Sequence, residues 1–346
     1  MERSGSRGAR QRQRQQQGED IVRHAVRDYA ARFPELSEAT ERFTSLITRM
    51  LDDAGINYLS VTGRTKSVAS FAGKAVRQED GVPLYRDPLR EITDQMGVRV
   101  ITYLATDVAA VAELVSAELT VLDDRDMGRE TAAEGQWGYN SRHILVSLDP
   151  SAELAPEDEM LRGRSLSLQV RTILQHAWAE FEHDIRYKGH LPEEHAPDLN
   201  RRFTLAAGLL ELADREFTAI RDRIQETLTD QQSEQDPSDP RIGAKELATF
   251  LAGQFADAGW SKTDHYSWIS GLLLELGITS LEELSGLLAS VDSAAITDRM
   301  GYRYPPGAVR RLDDALLAVF GAHYVALHGN DDRRPLLQER LDKLIG

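Results

Sequence analysis

The stretch Ser165-Leu166-Ser167-Leu168-Gln169-Val170-Arg171-Thr172 runs directly into Ile173-Leu174-Gln175-His176-Ala177-Trp178-Ala179-Glu180-Phe181-Glu182-His183-Asp184-Ile185-Arg186-Tyr187-Lys188. Over Ser165–Val170 apolar and polar residues alternate, the period of a strand with Ser167, Gln169 and Arg171 on one face. From Ile173 to Tyr187 the period lengthens to that of a helix, with Trp178, Phe181 and Ile185 as its apolar stripe. A strand feeding a long helix is a building unit of a mixed α/β layer.

Working outward, His143–Leu148 reads as a further strand, Thr120–Leu122 as the start of another, Val108–Leu119 as a helix and Val98–Leu104 as a strand. Asn57–Val61 reads as a short strand, followed by a turn at Gly63-Arg64 and a helix over Lys66–Arg77. Ile21–Ala54 has helical spacing in two pieces parted near Pro34, with Ser37 capping the second. The expected fold class is therefore α/β: a mixed β-sheet core flanked by helices over residues 19–195.

The flanks differ in kind. Residues 1–18, rich in Arg, Gln, Ser and Gly, cannot offset their ordering entropy by burial and are expected to be a disordered basic tail. Residues 196–230 are expected to be one long helix, in which Phe203, Ala206, Leu210, Ala213, Phe217, Ile220 and Ile224 step by three and four. That seam either packs back on the core or pairs with another subunit, so a homo-oligomer is open. Residues 231–240 are the best linker, and residues 241–346 are expected to form an all-helical accessory domain. Its signals are the Ser280/Glu283 capping box, Pro306 as a helix opener, and the apolar face Val309, Leu312, Leu316 and Phe320.

Composition narrows the function. A chain of 346 residues without cysteine has no disulfide framework, thiolate metal site or cysteine nucleophile. A formal charge of −15 argues against a coat for duplex DNA, although basic clefts survive inside acidic proteins. No uncharged run reaches the roughly 18 residues of a membrane span, so a cytoplasmic protein with no membrane partner is expected.

Four segments carry chemistry. In Gly63-Arg64-Thr65-Lys66-Ser67-Val68-Ala69-Ser70-Phe71-Ala72-Gly73-Lys74, the side chains of Lys66, Ser70 and Lys74 recur at one helical turn, a pattern suited to cradling a polyphosphate with Arg64. In Asp94-Gln95-Met96-Gly97-Val98-Arg99, the carboxylate suits a hard divalent cation and the guanidinium suits a phosphate. In Gly138-Tyr139-Asn140-Ser141-Arg142-His143, strand alternation puts Tyr139, Ser141 and His143 on one face, a plate for a base beside a hydroxyl and an imidazole. The fourth is the opening stretch, with Gln169, Arg171, His183, Tyr187 and Lys188 as its polar groups. Taken singly, each has a bland explanation as a solvated face or a cap.

Taken together, in this order and spacing, the four segments resemble the synthetase domain of the RelA/SpoT family over about residues 55–190. The resemblance implies a nucleotidyltransferase-like mixed sheet. It also implies transfer of the β,γ-pyrophosphate of ATP to the 3′-hydroxyl of GDP or GTP, with Mg²⁺ as cofactor. By the same resemblance Arg64, Lys66, Ser70 and Lys74 would bind the ATP donor, Asp94 would hold the metal, and Arg99 would orient the donor. Tyr139 would stack on the guanine, with Ser141, His143, Gln169, Arg171, His183, Tyr187 and Lys188 completing the acceptor side.

Two departures stand out. The family reads Glu-x-Gln-x-Arg-Thr in the fourth segment, and Ser167 stands where that catalytic Glu belongs. A serine is no base near pH 7, and losing a general base costs ~10²–10⁴ in rate. Ahead of Tyr139 the family has Lys-x-Asn-Gly-Tyr, whereas Gly135-Gln136-Trp137-Gly138-Tyr139 lacks the lysine and the asparagine. Glu180 and Glu182 are not expected to replace the missing carboxylate, because Trp178 and Phe181 fix the face of their helix. Two other functions stay open: a degenerate synthetase that binds nucleotides as a sensor, and a pyrophosphokinase acting on another acceptor such as the 3′ end of tRNA.

Overall fold

Strand alternation and helical spacing translate into a five-stranded mixed sheet wrapped by helices, followed by a second, wholly helical core. The structure is a computed structural model that describes residues 3–79, 82–127, 141–149, 151, 156–188, 196–227, 240–302 and 304–346. The side chains of 3–17, 19, 157, 186–188, 196–197 and 225–227 lie outside that description. Most of the expected linker 231–240 also lies outside it.

Helix α1 (Arg3–Asp53) leads into β1 (Ser60–Thr65) and α2 (Val68–Ala75), then a two-stranded ribbon, β2 (Gln78–Glu79) and β3 (Val82–Pro83). The short α3 (Pro88–Glu91) precedes β4 (Met96–Thr102), α4 (Ala105–Glu118), β5 (Thr120–Asp126) and β6 (Arg142–Ser147). A 3₁₀ turn (Pro156–Leu161) precedes β7 (Ser165–Thr172), which passes into α5 (Ile173–Lys188) and then α6 (Ala196–Thr227).

The sheet order is β1-β4-β7-β6-β5, with β4 and β7 parallel and the other neighbours antiparallel. One face is apolar. Val98 and Val100 of β4, Ile144 and Val146 of β6, and Leu166, Leu168 and Val170 of β7 are buried beneath α1 and α4. From α1 come Tyr29, Leu36, Ala39, Phe43, Ile47 and Leu51, spaced by three, four and seven along one stripe. Each of the leucine, isoleucine and phenylalanine side chains contributes about 1.5–3 kcal/mol on burial, which fixes α1 across the sheet. The other face carries Arg99, Ser167, Gln169, Arg171 and His143, as the alternation requires.

Three expectations need correcting. Residues 3–18 are helical rather than disordered, and Pro34 lies inside α1 instead of parting two helices. A proline removes one helix hydrogen bond, and the stripe buried on both sides of Pro34 outweighs that local loss. The turn expected at Gly63-Arg64 is strand: β1 pairs Gly63 with Val98 and Arg64 with Gly97. A Cβ at Gly63 would overlap Thr44 Oγ1 of α1, so glycine here admits a crossing helix rather than a turn. Lys66 consequently sits between β1 and α2, one residue before the N-cap Ser67.

Beyond residue 240 the second core forms from α7 (Ala244–Gln254), α8 (Thr263–Glu275), α9 (Leu281–Ala289), α10 (Ser293–Met300), α11 (Ala308–Phe320), α12 (Ala322–Val325) and α13 (Arg334–Ile345). Leu247, Leu251, Ile269, Leu273, Leu312, Leu316, Tyr324 and Leu337 are among its buried residues. The Ser280/Glu283 capping box opens α9 as the sequence predicts. This core meets the end of α1 closely: Ser261 Oγ donates to the Gly55 carbonyl at 2.8 Å, and Gly307 N–H donates to the Ala54 carbonyl at 3.1 Å. The apolar seam of α6 is buried at its start, where Phe203 and Ala207 lie against Trp178. Farther along, α6 is tied to the core by polar contacts, with Thr172 Oγ1 donating to the buried Asp214 at 2.8 Å and Arg221 donating to Thr106 at 3.1 Å. Phe217, Ile220 and Ile224 are exposed. Among the described residues no helix is long and apolar enough to cross a membrane.

Candidate active site

The open sheet face and the start of α2 bring the first, second and fourth segments together. Ser67 caps α2: its Oγ accepts from Ser70 N–H at 3.2 Å, and its hydroxyl donates to Ser70 Oγ at 2.9 Å. Lys66, just before this cap, and Lys74, in the last turn of α2, converge on one carboxylate. Lys66 Nζ lies 3.0 Å from Asp94 Oδ2, and Lys74 Nζ lies 3.0 Å from Asp94 Oδ1. Burial pushes the Asp94 carboxyl up, but the two lysines more than reverse this and hold it below the usual range. Asp94 is thus a fixed anion between two cations.

Backbone contacts brace this corner. Lys66 N–H donates to the Gln95 carbonyl at 2.9 Å, and Gln95 Nε2 donates to the carbonyls of Leu89 and Ile92. From below, Tyr29 of α1 donates to the Lys66 carbonyl at 2.7 Å while its ring stacks on Phe71 of α2. The sequence reading missed Tyr29 and Ser67. The signal was present for Tyr29, because a tyrosine in an apolar helical stripe needs a hydroxyl partner.

Register fixes the remainder. Arg99 pairs with Gln169 across β4 and β7, Gln169 pairs with His143 across β7 and β6, and Ser167 stands between Gly97 and Leu145. Arg171 is buried and donates to Gln169 Oε1 at 3.2 Å. Burial, together with the nearby Arg99, brings the Arg171 guanidinium down to about 10. Ser141, just ahead of β6, is buried at 1% exposure, and His143 is half-buried. Tyr139 lies outside the described residues, as do the side chains of Tyr187 and Lys188.

Glu180 reaches the polar sheet face through Arg99. Arg99 Nη1 donates to Glu180 Oε1 at 3.0 Å, and His176 Nδ1 lies 3.7 Å from the same oxygen. Of the expected apolar stripe of Trp178, Phe181 and Ile185, one residue is buried. Trp178 is buried with Ala179, but Phe181 is 53% exposed and Ile185 is 41% exposed. That rotation turns Glu180 toward β4, on the helix face shared at i,i+3 and i,i+4 by His176 and His183. His183 itself is exposed. Burial and the adjacent Arg99 hold His176 below the ordinary imidazole value.

Arg64 and Arg171 share the sheet face of Arg99, whose partner is Glu180, and Lys66 and Lys74 pair with Asp94, so this region carries more cations than carboxylates among these residues. A local cationic excess on a chain of net charge −15 is a focusing arrangement for a polyanion. Among the described residues no group of three or more His, Asp and Glu side chains has the placement to hold a metal alone. A lone carboxylate suits Mg²⁺ carried on a polyphosphate, since that ion takes one or two carboxylates and completes its shell from phosphate and water.

Residues 63–191 match the region found in RelA and SpoT proteins. Over 170 residues the chain is 34% identical to GTP pyrophosphokinase YjbM of Bacillus subtilis (strain 168), covering 48% of this chain and 73% of that protein. The chain belongs to the RelA/SpoT family. Among solved structures, small alarmone synthetase 1 from Bacillus subtilis is 27% identical with a TM-score of 0.42, covering 57% of this chain and 99% of that one. The same synthetase bound to its product pppGpp is 30% identical with a TM-score of 0.36, covering 49% of this chain and 80% of that one. The matched RelA/SpoT region spans β1 through α5, the elements that carry the Asp94 corner and the open sheet face.

Proposed function

We propose that this RelA/SpoT-family chain is an ATP-dependent pyrophosphokinase that moves the β,γ-pyrophosphate of ATP to the 3′-hydroxyl of GDP or GTP. The observation that carries this reading is Asp94 held between Lys66 and Lys74 at 3.0 Å, beside the polar sheet face. Similarity to a GTP pyrophosphokinase supports it.

In this reading Arg64, Lys66, Ser70 and Lys74 bind the donor polyphosphate, and Arg99 orients it. Asp94 holds Mg²⁺, which when bound neutralises charge on the phosphate oxygens. Lys66 and Lys74 exchange Asp94 for phosphate as the donor enters, so the cradle is pre-formed and reorganises little. On the acceptor side Gln169 and His143, paired across the sheet, hold the nucleotide with Arg171, Ser141, His183, Tyr187 and Lys188, and Tyr139 stacks on the base. Transfer of this kind needs in-line positioning and neutralisation of developing charge, which this inventory supplies. Residues 19–195 act as the synthetase core, and residues 241–346 serve as its accessory unit through 196–230 and 231–240. The exposed Phe217, Ile220 and Ile224 are the surface on which a second copy would pack.

The test is incubation of the purified chain with Mg²⁺ and β,γ-labelled ATP, offering GDP, GTP, ATP or bulk tRNA as separate acceptors. Label on GDP or GTP supports the reading. Label on tRNA alone reassigns the acceptor. Ser167, neutral at the centre of β7, favours one second reading, a nucleotide sensor without turnover. ATP binding with no label on any acceptor would establish it.

A further inference from the structure

Pyrophosphoryl transfer needs a group to take the proton of the attacking hydroxyl, and Ser167 is no such group near pH 7. The sheet face offers few substitutes. Asp94 has each carboxylate oxygen 3.0 Å from a lysine ammonium and is the carboxylate assigned to Mg²⁺, so neither oxygen is free for the acceptor hydroxyl. Asp123 lies on β5, two strands from β7 and therefore about 10 Å away by strand spacing, and it is ion-paired with Arg125 at 2.9 Å.

Glu180 is different. It hangs from α5 over the same face, held at one oxygen by Arg99 at 3.0 Å. Its contacts to Arg99 and His176 both use Oε1, and its side chain is 57% exposed. Arg99, for its part, has a buried Nε with no hydrogen-bond partner among the described residues. With 30% of the Arg99 side chain exposed, one guanidinium can meet an incoming phosphate while fixing a carboxylate beside it, and an acceptor hydroxyl held at that phosphate would come within reach of Glu180.

We infer that Glu180 is the general base of this enzyme, taking the part for which β7 supplies only Ser167. This rests on the transfer reading above. In the step, the acceptor 3′-oxygen attacks the β-phosphorus of ATP and forms the new O–P bond. The bond from that phosphorus to the oxygen bridging the α- and β-phosphates breaks, and AMP leaves with the electron pair. The hydroxyl proton passes to Glu180 Oε2 and from there to solvent. Glu180 is a site created by the rotation of α5, which buries Trp178 and leaves Phe181 outside.

The test compares wild type with Glu180→Gln, Ser167→Glu and the double variant, measuring kcat for transfer and Kd for a non-hydrolysable ATP analogue. Glu180→Gln is expected to lower kcat by ~10²–10⁴ with analogue binding within about threefold of wild type. Adding Ser167→Glu to Glu180→Gln is expected to restore at least about tenfold of that loss, because residue 167 stands on the same face. Wild-type kcat in Glu180→Gln would overturn the assignment while leaving the transfer reading intact. A parallel loss of analogue binding and kcat would also overturn it, making Glu180 a brace for Arg99. Absence of acceptor-dependent turnover by the wild type would overturn the transfer reading itself and this assignment with it. Melting curves of Glu180→Gln should match wild type, since the residue is exposed and the change isosteric.

Discussion

Tyr29 and Lys66 lie 37 residues apart, yet the Tyr29 hydroxyl donates to the Lys66 carbonyl at 2.7 Å and ties the first helix to the donor cradle. The tyrosine is fully buried, its ring stacked on Phe71 at 4.1 Å, and burial drives its hydroxyl up to about 12, so it stays a donor throughout the working range. Tyr29→Phe keeps the ring and leaves the Lys66 carbonyl without that partner, a cost of about 1–3 kcal/mol. The expected result is a melting temperature lower by a few degrees and weaker binding of an ATP analogue, read by thermal melts and titration calorimetry. Unchanged analogue binding would show that Lys66 holds its place without α1.

Asp94 gives a second prediction. Its carboxylate neutralises Lys66 and Lys74 in the absence of nucleotide. Asp94→Asn should abolish transfer, yet leave metal-free binding of the analogue equal or tighter, because both lysines become available to phosphate. Because its folded pKa is lowered, the stability Asp94 provides is present above its unfolded value and lost as pH falls through the folded one. The melting temperatures of wild type and Asp94→Asn should therefore begin to approach one another only as pH falls below about 4, the ordinary carboxylate value, and meet below the lowered folded value.

Asp107 has the opposite sign. It is 5% exposed in the first turn of α4, and burial drives its carboxyl up to about 7, with Arg221 only partly offsetting this. A folded pKa raised above the unfolded one means stability that is full at low pH and lost as pH rises toward 7. Asp107→Asn should flatten that loss. The variant should melt higher than wild type at pH 8 and nearly with it at pH 4.

The junction between the two cores rests on Arg310. It is 5% exposed, donates to the Asp53 carbonyl at 2.6 Å and to the Asp53 carboxylate, and also faces Asp314 and Tyr302. Arg310→Met removes one cation from among buried carboxylates. A broken buried pair costs about 3–5 kcal/mol. Urea unfolding should shift to a markedly lower midpoint, and proteolysis should release residues 241–346 sooner. An unshifted midpoint would mean that Arg333 and Arg340 satisfy Asp53 unaided.

How much of this was legible beforehand depends on what each signal encodes. Strand alternation in β4, β6 and β7 put Arg99, His143, Ser167 and Gln169 on one face because side-chain direction in a strand is set locally. The continuity of α1 through Pro34 was not legible, since it comes from burial of Tyr29, Leu36 and Phe43 against a sheet formed much later in the chain. Gly63 read as a turn because only the crossing of Thr44 reveals that the glycine makes room for a helix. The Arg99–Glu180 contact was not legible because a helix's rotation is settled by what it packs on, and α5 buries Trp178 against Phe203 of α6 while leaving Phe181 largely exposed.

The central claim is pyrophosphoryl transfer, and its most direct measurement is AMP formation by the wild-type chain with Mg²⁺ and ATP, with and without GDP or GTP. The account predicts AMP that appears only with the acceptor and equals the new 3′-pyrophosphorylated nucleotide mole for mole. ADP and inorganic phosphate in place of AMP, or AMP formed at the same rate without an acceptor, would contradict it.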